Sequence, residues 1–249
     1  MKETGELLFL LSSADRVNIL SAINEERLRL SQLASKFSMT TQETSRQLAR
    51  LSDAKLIEKD PKGLYGLTGL GNLALKLLPS FGFLVRRSEY LLSHDLSFLP
   101  PEFIERVGEL SEGRYMERVG STLELINRVL RECREHIWLM ADQVLMSDAI
   151  RAKLSSPDRV SWRIVVPAGS APQERYPPFP SELRGRMEVG LVEEARVAIA
   201  LNEGLAGLAF ADSKGKIDFD TGLQGSDPQF LGWCTDLFTY YWSRAKRVF

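Results

Sequence analysis

The spacing of apolar positions divides the chain into a helical first third and a longer part in which the period changes. Residues 5–78 read as helix, helix, helix, hairpin, helix. Pro79 and Gly82 interrupt that pattern, and a second apolar helix follows in FLVRRSEYLLSHDL, residues 83–96. The pair Pro100-Pro101 resets the chain, with Pro101 suited to the first turn of a new helix. Helical spacing then runs over residues 102–135. HIWLMA (136–141) is a short apolar run of the kind a buried strand needs. Residues 142–155 read as helix with Asp142 as its cap, and VSWRIVVP (160–167) is a second buried strand. Strand, helix and strand in quick succession predict a parallel pair joined by a right-handed crossover. A proline-rich loop and three strand-like runs follow, MEVGLVE, RVAIALN and LAGLAFAD. An amphipathic helix over 228–247 closes the chain, bearing Phe230, Leu231, Trp233, Leu237, Tyr240 and Tyr241. The expected fold class is α+β followed by α/β: a helical domain with a hairpin (1–78), a helical linker (79–101) and an α/β domain with a mixed sheet (102–249).

A net charge of −1 gives the chain no overall attraction for nucleic acid, so any basic surface has to be local. The stretch SQLASKFSMTTQETSRQLARLSDAKLIEKDPKGLYGLT, residues 31–68, supplies one. Ser31 is expected to cap a helix whose Leu33, Ala34 and Phe37 face one way. Thr40 and Glu43 form a T-x-x-E capping box that fixes the start of the next helix. On that helix Thr44, Leu48 and Leu51 share the inward face, while Gln42, Arg46, Ala49 and Arg50 point outward with Ser45 on the flank. Such a face suits the DNA major groove, because glutamine bonds base edges while hydroxyls and arginines also take phosphate. LIEKDP and LYGLT are short strands turning around Lys62-Gly63, with Lys59 near the tip. Gln42, Ser45 and Arg46 are therefore expected nearest the bases, and Thr41, Arg50, Lys59 and Lys62 on phosphates. Between Arg27 and Lys62 eight Lys/Arg stand against four Asp/Glu, the local excess that the balanced total requires.

The residues TTQETSRQLARLSDAKLIEK followed by LYGLTGLGNLAL resemble the winged helix-turn-helix of bacterial and archaeal transcription factors. The resemblance covers the first domain and implies double-stranded DNA as its partner.

The remainder carries no nucleotide-binding or hydrolase motif: G-x-G-x-x-G, a P-loop, G-x-S-x-G and H-E-x-x-H are all missing. His94 falls at a helix end and His136 at a strand start, neither beside a partner that would complete a metal site. Asp212, Asp218, Asp220 and Asp227 lack the spacing of a calcium loop and read as turn aspartates. The expectation is a protein without enzymatic activity, cofactor or metal. Cys133 and Cys234 read as reduced, buried small hydrophobes. With neither a signal peptide nor an apolar run near the roughly 18–20 residues a bilayer needs, the expected location is the cytoplasm, with no membrane partner. A small-molecule effector is the natural ligand of such an α/β domain. Trp138, Asp142, Trp162, Arg163 and Arg175 lie on the parallel strands or in the loops after them, where open sheets take ligands. Arginines there suit an anionic molecule.

EYLLSHDLSFLPPEFIERVGELSEGRYMERV (89–119), HIWLMADQVL and VSWRIVVP resemble archaeal regulators that join a winged helix to a methanogenesis-regulator-type domain. The run from RVAIALN to the terminal helix is similar to sugar-sensing regulators of the TrmB type, whose sensor is related to half of a phospholipase-D fold. That enzyme needs H-x-K, whereas here His94 precedes Asp95-Leu96 and His136 precedes Ile137-Trp138. What the resemblance implies is a non-catalytic, effector-controlled transcription regulator. Symmetric operators favour a homodimer. The helix with Phe83, Leu84, Tyr90, Leu91 and Leu92, or the terminal helix, is the expected interface. The alternative is a protein-interaction winged helix whose second domain binds a partner protein rather than a metabolite.

Overall fold

Backbone contacts divide the chain between Phe81 and Gly82 into two units. A computed structural model describes residues 4–142, 148–156, 160–170 and 187–248. The first unit runs α1 (Thr4–Leu11), α2 (Ala14–Glu25), α3 (Leu30–Lys36), α4 (Thr41–Asp53), β1 (Ile57–Lys59), β2 (Tyr65–Leu67) and then α5 (Gly69–Arg86). Its core gathers Ile19 and Leu20 from α2, Leu33 from α3, Leu48 and Leu51 from α4, and Leu56. Arg16 is buried with them, donating to the Leu10 and Phe9 carbonyls at the end of α1 and to Gln47 of α4. It thus satisfies helix-end carbonyls that would otherwise lack partners.

The turns around α4 are set by backbone chemistry. Thr40 caps the helix, its Oγ1 accepting from the Glu43 N–H at 3.1 Å. Both α3 and α4 end in Schellman motifs, with Met39 N–H on the Ala34 carbonyl (2.9 Å) and Leu56 N–H on that of Leu51 (3.0 Å). Such a motif needs a left-handed residue, and here Ser38 (φ 54°) and Lys55 (φ 61°) serve instead of glycine. Ser31 does not cap α3: Arg29 is the cap residue, and its N–H donates to the Gln32 side chain at 2.8 Å. β1 and β2 form an antiparallel hairpin, and Leu28 pairs with Tyr65 on its other edge. At its tip Asp60 Oδ1 accepts from the N–H groups of Lys62 and Leu64, and Gly63 takes φ 81°. Thr68 Oγ1 then donates to the Lys55 carbonyl and accepts from Gly71 N–H, docking the start of α5 onto the end of α4. A Cβ at Gly71 would lie 1.9 Å from the Leu56 oxygen, so only glycine fits.

Pro79 does not break the chain here. Proline removes only its own backbone bond to the preceding turn, and α5 continues through it to Arg86.

The second unit is built on an eight-stranded mixed sheet in the order β10-β6-β5-β4-β7-β8-β9-β3. The strands are β3 (Arg114–Met116), β4 (His136–Met140), β5 (Ser161–Pro167), β6 (Met187–Val192), β7 (Val197–Leu201), β8 (Ala206–Phe210), β9 (Gly222–Gly225) and β10 (Lys246–Arg247). β4, β5 and β6 are mutually parallel, as the strand–helix–strand spacing predicts, and all other neighbours are antiparallel. The helices are α6 (Ser88–Ser93), α7 (Pro101–Glu105), α8 (Val119–Glu132), α9 (Asp148–Leu154) and α10 (Pro228–Arg244).

Strand residues alternate between two cores. Phe230, Trp233 and Phe238 of α10 cover Met140, Val165 and Ile199 on one face. Leu125 and Val129 of α8 with Ile150 of α9 cover Ile137, Ile164 and Val189 on the other. Cys133 and Cys234 are buried thiols that form no disulfide.

From Gly82 on, the segment expected as a linker groups with this unit. Phe83, Tyr90 and Leu99 are core residues, and Arg87 donates to the Gly113 carbonyl. Leu84, Val85 and Leu92 of the same segment stay exposed. The long helix expected over 102–135 is interrupted: α7 and a 3₁₀ turn (Val107–Leu110) precede the edge strand β3. The terminal helix stops at Arg244, where Lys246 and Arg247 turn back to pair with β6.

Candidate nucleic-acid interface

Side chains on α4 segregate as their spacing predicts. Thr44, Leu48 and Leu51 are buried, whereas Thr41, Gln42, Ser45, Arg46, Ala49 and Arg50 are exposed. Gln47, three residues from Thr44 and four from Leu51, joins the inward side despite its polar side chain: it is 6% exposed and accepts from Arg16 at 3.2 Å. Lys59 and Lys62 are exposed on the hairpin, with the Lys59 ammonium 5.4 Å from the Tyr65 ring centre.

Two of the four acids of this region, Glu58 and Asp60, are already occupied. Arg27 lies 3.3 Å from Glu58 and 3.7 Å from Asp60. Among the described residues no ion pair engages Arg46, Arg50, Lys59 or Lys62. The charge that the sequence places locally is therefore concentrated on the outer face of α4 and the hairpin. Arg27 was missed from sequence because its partners sit some thirty residues on, and only the hairpin register brings them together.

The expected ligand residues do not converge. Trp138 and Arg163 are register partners on β4 and β5 and face α10; the Arg163 guanidinium lies 5.2 Å from the rings of both Trp138 and Trp242 and holds Glu188 at 3.0 Å. Trp162, one residue earlier, points to the opposite face and is 1% exposed, a core residue. The side chains of Trp162 and Arg163, on opposite faces of the sheet, do not meet in one site. Asp142 is half-buried just past the end of β4, and Arg175 lies outside the described residues.

His94 ends α6 and is fully engaged. Its Nδ1 lies 2.7 Å from the Tyr90 carbonyl and its Nε2 3.2 Å from Asp218, which also accepts from Thr221 at 2.6 Å. Burial raises the Asp218 pKa, but bonds from Thr221, the Asp220 N–H and His94 outweigh it and hold the carboxyl below its usual value. Asp212 accepts from the N–H groups of Lys214 and Lys216, and Asp227 caps α10. These acids close turns. Among the described residues no helix is long and apolar enough to cross a membrane.

Residues 4–88 match the family described as the HVO_A0261 N-terminal domain. No curated protein matches the chain. Among solved structures it is similar to TrmBL2, described as an archaeal chromatin protein with a novel mode of DNA binding, at 16% identity and a TM-score of 0.45, covering 94% of this chain and 93% of that one. CalO1, a methyltransferase of calicheamicin biosynthesis, follows at 12% identity and 0.27, covering 76% and 62%. An O-methyltransferase family protein from Burkholderia thailandensis gives 16% and 0.27, covering 77% and 65%. None of the three likenesses is close enough to bear on function.

Proposed function

We propose that the first unit is a winged helix-turn-helix that binds duplex DNA, and that the chain is a transcription regulator whose second unit takes the controlling signal. The observation that carries this reading is the uncompensated charge. Arg46 and Arg50 on α4 and Lys59 and Lys62 on the hairpin have no ion-pair partner among the described residues, while the hairpin acids Glu58 and Asp60 are taken up by Arg27. Exposed cations beside an exposed Gln42 and Ser45 combine phosphate attraction with base-reading groups on one helix. In this reading α4 enters the major groove and the hairpin rests on the backbone.

The protein is proposed to act as a homodimer through α5. Leu70, Leu73, Leu77, Phe81 and Leu84 recur at three- and four-residue spacing along that helix and are between 44% and 58% exposed. Such a stripe is the seam of a helix pair. The terminal helix, the other expected interface, spends Phe230, Trp233, Leu237 and Phe238 on its own core. No catalytic step is assigned to the second unit. His94, 4% exposed with both ring nitrogens bonded, offers no open position for proton transfer.

Gel shifts with genomic duplex fragments across a salt series test the reading. Sequence-selective retardation that weakens steeply with salt supports it. Absence of any shift at low salt sinks it and favours the protein-interaction module.

A further inference from the structure

A cleft opens on the α8–α9 face of the sheet, and its floor is made of small residues. The register sets Ala198 opposite Ala209 and Ala200 opposite Gly207, two adjacent pairs of β7 and β8. On the other face of the same strands Val197, Ile199, Leu201 and Phe210 fill a core. Bulk is missing on one face only. The result is a cleft of about 70 Å³ that opens to solvent, between Ala198, Ala200 and Ala209 and the side chains of Leu125 and Ile150. Thr122 is the hydroxyl in the lining, and its Oγ1 already donates to the Phe219 carbonyl at 2.8 Å. The cleft offers contact to an apolar body and nothing to a polar one.

A second hollow of about 60 Å³ abuts it, lined by Arg114, Ser121, Glu124, Arg128 and Gln224 among others. Met116 and Leu125 line both spaces. Arg114 and Met116 are two residues apart on β3 and share a face, and Ser121, Leu125 and Arg128 share a stripe of α8. Arg128 holds Glu132 at 3.3 Å. Among the described residues no hydrogen bond or ion pair engages the Arg114 side chain. With Glu124 in the lining and Glu132 on Arg128, Arg114 is the cation of the hollow that no ion pair engages among the described residues.

We propose that cleft and hollow together bind one amphipathic carboxylate, its apolar body over Ala198 and Ala200 and its acid group at Arg114 and Arg128. This moves the expected anion site away from Arg163 and changes the ligand class to an acid with a substantial hydrophobic part. That the ligand acts as effector of DNA binding rests on the regulator reading; that it binds does not.

Octanoate, 1-octanol and acetate titrated into the full chain, followed by calorimetry without DNA, provide the test. Octanoate should bind about tenfold tighter than octanol, the worth of one charge-assisted contact, and acetate should not bind. Ala200→Phe fills the cleft from its floor and should abolish octanoate binding; Ala198→Leu is the milder second variant, and circular dichroism checks the fold of both. Arg114→Gln should reduce octanoate to the affinity of octanol. Equal binding of octanol and octanoate by the unaltered chain overturns the proposal. So does octanoate binding that survives both cleft variants, or no binding at all. Gel shifts fail independently of these titrations, which separates loss of the DNA reading from loss of the site.

Discussion

Arg27 reaches from the end of the α2–α3 connection to Glu58 on the hairpin, guanidinium to carboxylate at 3.3 Å, and so masks an acid beside Lys59. The contact is about half exposed on both sides, at 48% and 59%, and contributes little to stability. Its effect is on the field. Arg27→Ala should weaken duplex binding about threefold at low salt, on the scale of one exposed pair. Adding Glu58→Gln and Asp60→Asn to Arg27→Ala should restore the affinity. Failure of that restoration would mean that Arg27 touches the DNA itself.

Lys62 and Gln42 should behave differently. Lys62→Ala should weaken all duplexes alike and reduce the slope of log affinity against log salt by about 1. Gln42→Ala should leave the slope alone and change which fragments are preferred. Filter binding of two unrelated fragments over a salt series distinguishes the two.

Gly71 tests the packing beneath the hairpin. Its missing Cβ would fall 1.9 Å from the Leu56 oxygen, a backbone atom that cannot swing aside. Gly71→Ala should cost about 1–3 kcal/mol in the first unit, as overpacking does. Chemical denaturation should show the loss there and leave the second unit's transition in place.

Much of this was legible from spacing. α4 sorted its faces as its period required, and β4, β5, β6, β7 and β8 fell on the apolar runs that predict them. What escaped had weak local signals. β3 is three residues, Arg114–Met116, and exists as a strand through pairing with β9 more than a hundred residues on; β9 is four, Gly222–Gly225, held between β8 and β3. The apolar positions of 83–99 signalled burial but not in which unit. The ligand residues were misgrouped because Trp162 and Arg163 were taken as one site, although strand alternation puts neighbours on opposite faces. The cleft did leave a trace, the alternating small residues of RVAIALN and LAGLAFAD.

Acid should loosen the second unit partly through Glu203. Burial pushes its pKa up, yet N–H bonds from its own backbone and from Arg134, Glu135 and His136 outweigh this and hold it below the usual 4.5. A carboxyl depressed on folding stabilises above its ordinary value, and the benefit is lost as pH falls through the lower folded one. Glu203→Gln should therefore lower the melting temperature at neutral pH by a margin that shrinks to nothing in acid. Thermal melts of both chains from pH 7 to pH 3 measure it.

The α5 stripe predicts self-association. Leu77, 52% exposed at its centre, is the position to charge. Leu77→Lys should shift the protein to monomer in light scattering at micromolar concentration and leave each unit folded. An unchanged mass would remove α5 as the seam.

α10 follows every strand of the sheet but β10, yet it supplies much of the cover over one face. During synthesis the first unit can close as soon as α5 emerges, because its partners are near neighbours. The second unit has no such freedom. β3 waits for β9, and Met140, Val165 and Ile199 stay bare to water until Phe230, Trp233 and Phe238 have left the ribosome. A message cut short before residue 228 would therefore yield a sound first unit joined to an open apolar sheet, a species for chaperones and proteases rather than a smaller working protein.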